Sequence, residues 1–234
     1  MKENQQARIT GLMYVLVIIF AGFSQGYVRG TLLVSDDAIA TANNILSSEG
    51  LFRIGFTTDL LAFLLDAAIS VMFYQMFKSY NKTMALLTAA FRLLAHPAIA
   101  SINLLNHYMA LEILSSDSMV SFDSAQKEVI SLFLMHAHHV GYLIAGAFFA
   151  VHCFLLGILI YKSRMVPALI GVLMAIAGCA YFMESFGDFL FPGNEDWLAL
   201  LVGIAAALGE ITLAFYLLIK GIWPDHLSTK RTFQ

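Results

Sequence analysis

The chain has 234 residues, of which 59% are hydrophobic and 12% charged, with a mean hydropathy of +0.77 and a formal net charge of −3. Soluble domains carry about 25% charged residues, so this composition is typical of an integral membrane protein and excludes an ordinary soluble domain. The small net charge gives no reason to expect a nucleic-acid partner. Cys153 and Cys179 both lie in apolar runs without zinc-type spacing, so no disulfide framework is predicted.

Six apolar segments are each long enough to cross a bilayer as a helix, which takes about 20 apolar residues. They are residues 9–33, 52–77, 83–112, 129–161, 166–191 and 197–220. These segments are far too long for barrel strands, so we predict an all-α, polytopic membrane helix bundle that forms one domain over residues 1–234. We expect a lipid bilayer around it, in the bacterial cytoplasmic (inner) membrane, with the oligomeric state left open.

Residues 35–50 (SDDAIATANNILSSEG) form the one sizeable segment between spans that does not itself cross. Ser35 is the predicted N-cap, followed by acidic residues in the first turn, and Gly50 is the predicted end. Ala38, Ile39, Ala42, Ile45 and Leu46 share one helical face. We predict a short amphipathic helix on the outer surface, with an ordinary ordered loop as the alternative.

Basic residues lie on alternate sides of the spans and predict the orientation. On one side are Lys2, Arg8, Lys78, Lys82, Lys162, Arg164, Lys220, Lys230 and Arg231. The alternate loops carry mainly acidic residues, and their only bases are Arg29, Arg53 and Lys127. Because cytoplasmic loops carry an excess of lysine and arginine, both termini are predicted to be cytoplasmic.

Many polar residues lie inside the spans, where ionisable side chains are rare and are usually paired or functional. Counted from the span ends, they fall into two depths. The middle tier is Asp66, Arg92, His96, His152 and Glu210. The outer tier is Asp59, Asn103, Asn106, His107, His136, His138, His139, Glu184 and Asp188.

Three histidines fall within four positions in the stretch LMHAHHVG, residues 134–141. His138 and His152 are separated by 14 residues, which places them within about 40° of each other on a helix. His136 and His139 point in other directions. We therefore expect His138, and not the other two, to face the bundle interior.

Asp59, His107, His138 and Glu184 come from four different spans at similar depth. Two imidazoles and two carboxylates suit zinc or another borderline divalent ion, and such an ion can activate water for hydrolysis. The leading hypothesis is a buried pocket, open toward the outer side, that binds a metal or a small amphiphilic ligand; whether it is an enzyme is left open. A second layer of ligand-binding residues is predicted at Arg92, His96, Asn103, His152 and Glu210.

Other interpretations of the same residues remain open. The polar network can be purely structural or serve a partner protein, with Arg92 paired to Asp66 or Glu210. Histidine pairs on the third and fourth spans are typical of b-type haem proteins, although bulky phenylalanines crowd that face and make haem the weaker candidate. A proton relay through the middle tier would serve a proton-coupled transporter.

Several stretches carry a family resemblance. They are ARITGLMYVL, NNILSSEGLFRIGFTTDLL, AFRLL, HVGYLIAGAFFAVHCFLLGILIYKS, VPALIGVLMAIAGCAYFMESF and GEITLAFYLLIKG. In this order and spacing, over about residues 7–221, they resemble the bacterial membrane family catalogued as domain of unknown function 4386. The positions that match the family pattern are Arg53, Asp59, Arg92, His138, Gly141, His152, Gly157, Ser163, Pro167, Gly171, Gly178, Tyr181 and Glu210.

The resemblance leaves His136 and His139 outside the pattern. Where the family tends to have Asp-Ser, this chain has Glu184-Ser185, which keeps the carboxylate. The resemblance implies a six-helix membrane protein and implies no reaction.

Overall fold

The computed structural model describes residues 3–116 and 121–223, so Lys2, Asp117, Lys230 and Arg231 lie outside the described residues. Within those two ranges the regular elements are all helices. They are α1 Glu3–Leu32, α2 Ala38–Ser47, α3 Glu49–Phe77, α4 Lys82–Ser115, α5 Ser124–Ser163, α6 Ala168–Leu190 and α7 Glu195–Lys220. All except α2 are long and apolar enough to cross a membrane, which confirms the prediction of an all-α, six-span membrane protein.

The six spans are arranged in chain order, because short connections make consecutive helices antiparallel neighbours. Each span packs against the one before it, from α1 with α3 to α6 with α7, and α7 in turn packs against α1. α5 is the most enclosed, with 61% of its most apolar stretch buried. A polar side chain on the inner face of α3, α4 or α5 can therefore meet its neighbours away from lipid.

Glycines bring α5 and α6 into close contact. A Cβ atom at Gly157 would lie 2.5 Å from the carbonyl oxygen of Gly171, and one at Gly178 would lie 2.7 Å from the backbone nitrogen of Phe154. Small residues let helix backbones approach each other in membranes, where lipid supplies little hydrophobic driving force for association. The α5–α6 seam is thus set by backbone-to-backbone packing.

The short helix α2 starts later than the sequence predicts. Its N-cap is Asp37, whose side chain accepts a hydrogen bond of 2.8 Å from the backbone N–H of Ala40, and not Ser35. Asp36 has a φ of +59°, and this left-handed turn moves the helix start to Ala38. The helix ends at Ser47, so the predicted terminator Gly50 instead lies in the first turn of α3.

One face of α2 is buried against α4 and α5. That face holds Thr41, Ala42 and Ile45, whereas Ile39 and Leu46 are exposed. Only part of the predicted apolar face therefore packs on the bundle, and the exposed apolar residues are free to contact lipid.

Three spans contain a π-helical turn, at Phe23–Arg29 in α1, Leu94–Ala100 in α4 and Ala207–Ile211 in α7. These turns carry Arg29, His96 and Glu210, respectively. In α4, Pro97 has no N–H to donate, so the helical ladder has to rearrange around it. Because π-helical turns inside α-helices are frequent at functional sites, the polar residues in these three turns are candidates for a functional role.

Candidate metal centre

Asp59 on α3, His107 on α4 and His138 on α5 converge inside one end of the bundle. One potential ligand atom from each residue lies within 4.8 Å of the other two. The residues are 0%, 0% and 3% exposed, so bulk water does not satisfy them. The structure thus brings together three of the four residues predicted from the sequence as metal ligands.

Hydrogen bonds determine which nitrogen of each histidine is free. Nε2 of His107 donates to the carbonyl oxygen of Phe52 at 3.2 Å. Nδ1 of His138 lies 3.3 Å from both the carbonyl oxygen and the Nδ2 atom of Asn103, and in the tautomer that donates to the carbonyl its Nε2 is left as an acceptor. The other nitrogens, Nδ1 of His107 and Nε2 of His138, are buried without a hydrogen-bond partner. Metal-binding histidines commonly donate their second ring N–H to a carbonyl in this way, which fixes the tautomer and orients the ring.

Asp59 completes the group with one free oxygen. Its Oδ2 lies 2.5 Å from Nη1 of Arg29, whereas Oδ1 is buried without a partner. Buried polar atoms are nearly always hydrogen-bonded, so an unpartnered one calls for an explanation. Here three of them belong to three residues that already lie together.

Arg29 is held in place by its own π-helical turn. Its guanidinium donates to Oγ of Ser24 at 2.9 Å and to Oε1 of Gln25 at 3.1 Å. The sequence assigns Arg29 only to the few basic residues on the outer side. The stretch GFSQGYVRG, at the end of an apolar span, contains Ser24 and Gln25 close to Arg29. This group of polar residues is the pattern that could have predicted an interior position for Arg29.

Asn103 ties α4 to α5 beside the site. Its Nδ2 donates to the carbonyl oxygen of His138 at 2.7 Å, and its Oδ1 accepts from Asn106 at 2.9 Å. Gly141 makes room for this side chain, since a Cβ atom there would lie 2.2 Å from Oδ1 of Asn103. Asn103, predicted as a ligand-binding residue, therefore positions the backbone around His138.

Glu184, the fourth predicted ligand, lies outside the three-residue group. It is half-buried on α6, and α6 packs against α5 and α7, away from α3 and α4. Its carboxylate is therefore carried by a helix that does not pack against the helices of Asp59 and His107. The exposed His139 is directed to the same helix, α6, where its Nε2 lies 3.8 Å from Oδ2 of Asp188.

His138 faces the interior, as its helical spacing predicts, whereas His136 and His139 are exposed. The three histidines of LMHAHHVG therefore do not form one cluster in the described structure.

The middle tier forms a second polar network, centred on Arg92. Arg92 forms a fully buried ion pair with Asp66 and donates from Nη1 to Nε2 of His152 at 3.0 Å. Nδ1 of His152 donates to the carbonyl oxygen of Thr88 at 2.8 Å. Because arginine can only donate, His152 accepts at Nε2, and both of its ring nitrogens are engaged.

The same network extends to the other middle-tier residues. Nδ1 of His96 lies 2.5 Å from Oδ2 of Asp66. Glu210 accepts hydrogen bonds of 2.7 Å from Tyr14 and from Tyr181. The Tyr14 ring also lies 4.5 Å from the Arg92 guanidinium, which joins the two halves of the network.

The sequence identifies Tyr181 only as a position of the family pattern and does not single out Tyr14, and it predicts neither of them as a partner of Glu210. Arg92 pairs with Asp66, which is one of the two pairings that the sequence left open. The predicted ligand-binding residues Arg92, His152 and Glu210 thus direct their polar atoms to one another, to nearby side chains and to the Thr88 carbonyl.

Comparison with known proteins places the chain in an uncharacterised group. A family model described as "Domain of unknown function (DUF4386)" matches residues 9–221. An uncharacterized protein of Archaeoglobus fulgidus is 28% identical over 162 residues, which cover 69% of this chain and 80% of that protein. No solved structure matches the chain. The family model confirms the resemblance seen in the sequence and assigns no reaction.

Proposed function

We propose a function from the site itself, because the chain belongs to the family described as "Domain of unknown function (DUF4386)" and that description assigns no reaction. The protein is an intramembrane metalloprotein in which Asp59, His107 and His138 hold one divalent ion of the zinc type. The observation that carries the proposal is that each of these three residues keeps one buried side-chain nitrogen or oxygen without a hydrogen-bond partner.

The donor set fits this choice of ion. Two neutral imidazoles and one carboxylate are a common ligand set for catalytic zinc, which keeps its fourth position open for water or substrate. The same set also suits other divalent transition metals. In a metal-dependent hydrolase the open position would activate a water molecule, so hydrolysis is the reaction class to assay first.

The middle tier supports a different role, which is to hold the helices in register. Its ion pair and hydrogen bonds link side chains of α1, α3, α4, α5, α6 and α7. A buried pair with its partners in place costs little, but it is costly to break, so such a network selects one helix arrangement. We propose that this tier supports the metal centre structurally.

The remaining alternatives receive less support from the geometry. Both ring nitrogens of His152 are engaged, which leaves none for an axial haem ligand. A proton relay would run through His96, and the contact of His96 with Asp66 is compatible with that role but equally serves the buried ion-pair network. The structural or partner-binding interpretation of the whole protein is the main rival, and the ion pair between Arg29 and Asp59 favours it.

We also propose the finer details of location. The charge pattern around the spans favours both termini on the cytoplasmic side of a bacterial inner membrane. In this orientation the metal centre lies toward the outer side of the bilayer, at the same end as α2.

Metal analysis of the protein purified in detergent tests the proposal. After dialysis against zinc and removal of free metal, we expect one equivalent of zinc per chain in the wild type. His107→Ala and His138→Ala should lose it. His139→Ala is the matched control, because it removes an exposed imidazole one position from His138 and should keep the metal.

Two results would reject the metal centre. One is the absence of stoichiometric metal in the wild type under these conditions. The other is equal zinc content in the wild type, His138→Ala and His139→Ala. Either result would favour the interpretation that the polar network is purely structural. An absorption spectrum of the same samples tests the haem alternative, because bound haem gives a Soret band.

A further inference from the structure

A cavity of about 250 Å³ lies between the start of α3 and the end of α4. Phe52, Phe56, Tyr108 and Leu111 form most of its wall. The volume is slightly below the roughly 300–1,000 Å³ typical of pockets for drug-sized ligands. An apolar cavity of this size suits a single hydrocarbon chain better than a two-chain lipid.

The wall of this cavity is also the support of a proposed metal ligand. His107 contributes to the lining. The Phe52 ring packs against the imidazole with ring centroids 4.0 Å apart, and the Phe52 carbonyl oxygen accepts a hydrogen bond from Nε2 of His107. The Phe56 ring lies edge-on to the same imidazole at 6.0 Å. Whatever fills the cavity therefore touches the groups that orient His107.

Charge balance at the proposed centre requires an anion. The single negative charge of Asp59 is already matched by Arg29. A divalent ion adds two positive charges among neutral imidazoles, and no further carboxylate belongs to the three-residue group within the described chain. Buried charge without compensation is costly, so the open coordination position should favour a negatively charged ligand.

The charged residue at the rim of the cavity does not select for a negatively charged ligand. Arg53 is a lining residue there, but it is already paired with Glu49 at 2.7 Å, and both side chains are well exposed. Discrimination between charged and neutral ligands therefore falls to the ion and to Arg29.

We propose that the centre binds a single-chain amphiphile with an anionic oxygen head group, a carboxylate or a phosphate monoester. The hydrocarbon tail lies in the α3–α4 cavity and the head group coordinates the metal beside Arg29. Phe56, which lines the cavity, lies one helical turn before Asp59 on α3. This inference rests on the proposed metal centre.

Cobalt substitution gives a direct readout of ligand binding. The full chain, in lipid nanodiscs and loaded with Co²⁺, is titrated with decanoate while the visible absorption of the cobalt is recorded. We expect a saturable change in the spectrum. Acetate should need concentrations at least about tenfold higher, because it lacks the buried methylenes. Decanol has the tail without the charge and should leave the spectrum unchanged, and decyl phosphate shows which head group binds more tightly.

A variant tests the cavity separately from the metal. Thr57 lines the cavity and is exposed, so Thr57→Phe should fill it without disturbing the core. We expect decanoate binding to weaken at least about tenfold, by loss of the apolar contact, with acetate binding unchanged. Leu60→Phe is the matched control, since Leu60 lies on the same helix, is 38% exposed and is not a lining residue.

The outcomes separate the two proposals. If wild-type protein gives no cobalt spectrum, the metal centre itself is rejected. If the spectrum is present but decanoate leaves it unchanged, or acetate binds as tightly as decanoate, the amphiphile site is rejected while the metal centre stands. An equal response to decanol and decanoate would reject the charge argument.

Discussion

Asp59 shares its carboxylate between Arg29 and an open position: Oδ2 lies 2.5 Å from Nη1 of Arg29, whereas Oδ1 is buried without a partner. The ion pair holds the carboxylate in place, so its free oxygen is oriented before any ion arrives. Sites whose ligands are positioned by a supporting shell bind with less rearrangement. Arg29 is therefore part of the site, although it is not itself a potential metal ligand.

The Asp59→Asn variant should lose both metal binding and stability. The amide keeps the shape of the side chain but leaves Arg29 buried without a counter-charge, and breaking a buried pair on one side costs about 3–5 kcal/mol. Thermal unfolding in detergent and metal analysis measure the two effects. Adding Arg29→Gln should recover part of the stability but not the metal, whereas an Asp59→Asn variant that still binds stoichiometric zinc would contradict the ligand assignment.

The Gly141→Ala variant should weaken metal binding without removing a ligand. The new methyl group would lie 2.2 Å from Oδ1 of Asn103, so Asn103 has to rotate and gives up its 2.7 Å bond to the His138 carbonyl. Loss of supporting contacts around metal ligands typically costs about 10–100-fold in affinity. Competition with a chelator measures the change. Gly203→Ala is the control, because a Cβ atom there meets nothing within 4 Å, and equal affinities for the two variants would contradict this prediction.

The two arginine–carboxylate pairs, Arg92–Asp66 and Arg53–Glu49, should differ strongly in their effect on stability. Arg92→Met leaves the fully buried Asp66 without its partner and should cost about 3–5 kcal/mol of unfolding free energy. Arg53→Met breaks an exposed pair with Glu49 and should change stability far less, because solvent screens the two charges. Denaturation of both variants in the same detergent gives the comparison. Similar losses would show that the middle tier does not stabilise the bundle.

Cysteine labelling tests the proposed orientation. Cys179 is exposed, so it is first replaced by serine, whereas the buried Cys153 is kept. In intact cells a membrane-impermeant maleimide should then label Ser121→Cys, between α4 and α5, and leave Ser79→Cys, between α3 and α4, unlabelled. Labelling after cell lysis is the control for reactivity. The reverse pattern would place the termini outside and the metal centre on the cytoplasmic side.

Much of the fold was predictable from the chain alone, for a local reason. A segment enters lipid when its own side chains are apolar and its backbone is satisfied within the helix, regardless of the rest of the chain. The six spans therefore follow from composition. The periodicity within a span also predicts which residues share a face, which is why His138 could be separated from His136 and His139.

The membership of the site was harder to predict, because it depends on which helices are neighbours. Four spans offered polar residues at similar depth, but α6 packs against α5 and α7, which places Glu184 away from Asp59 and His107. The partner of Arg92 was equally hard to predict, because Asp66 and Glu210 both offered a carboxylate. Glu210 is engaged by Tyr14 and Tyr181, and Arg92 pairs with Asp66.

Hydropathy and helical spacing were sufficient for the spans, their depths and the inward direction of His138. The tertiary structure was needed to show that Glu184 lies outside the three-residue group, that a π-helical turn brings Arg29 to Asp59, and which imidazole nitrogens have no hydrogen-bond partner. The physical reason is that crossing a membrane depends on each segment's own composition. A binding site depends on contacts between segments, and those contacts are set by backbone packing, such as the glycine seam of α5 and α6, and by competition among buried polar groups.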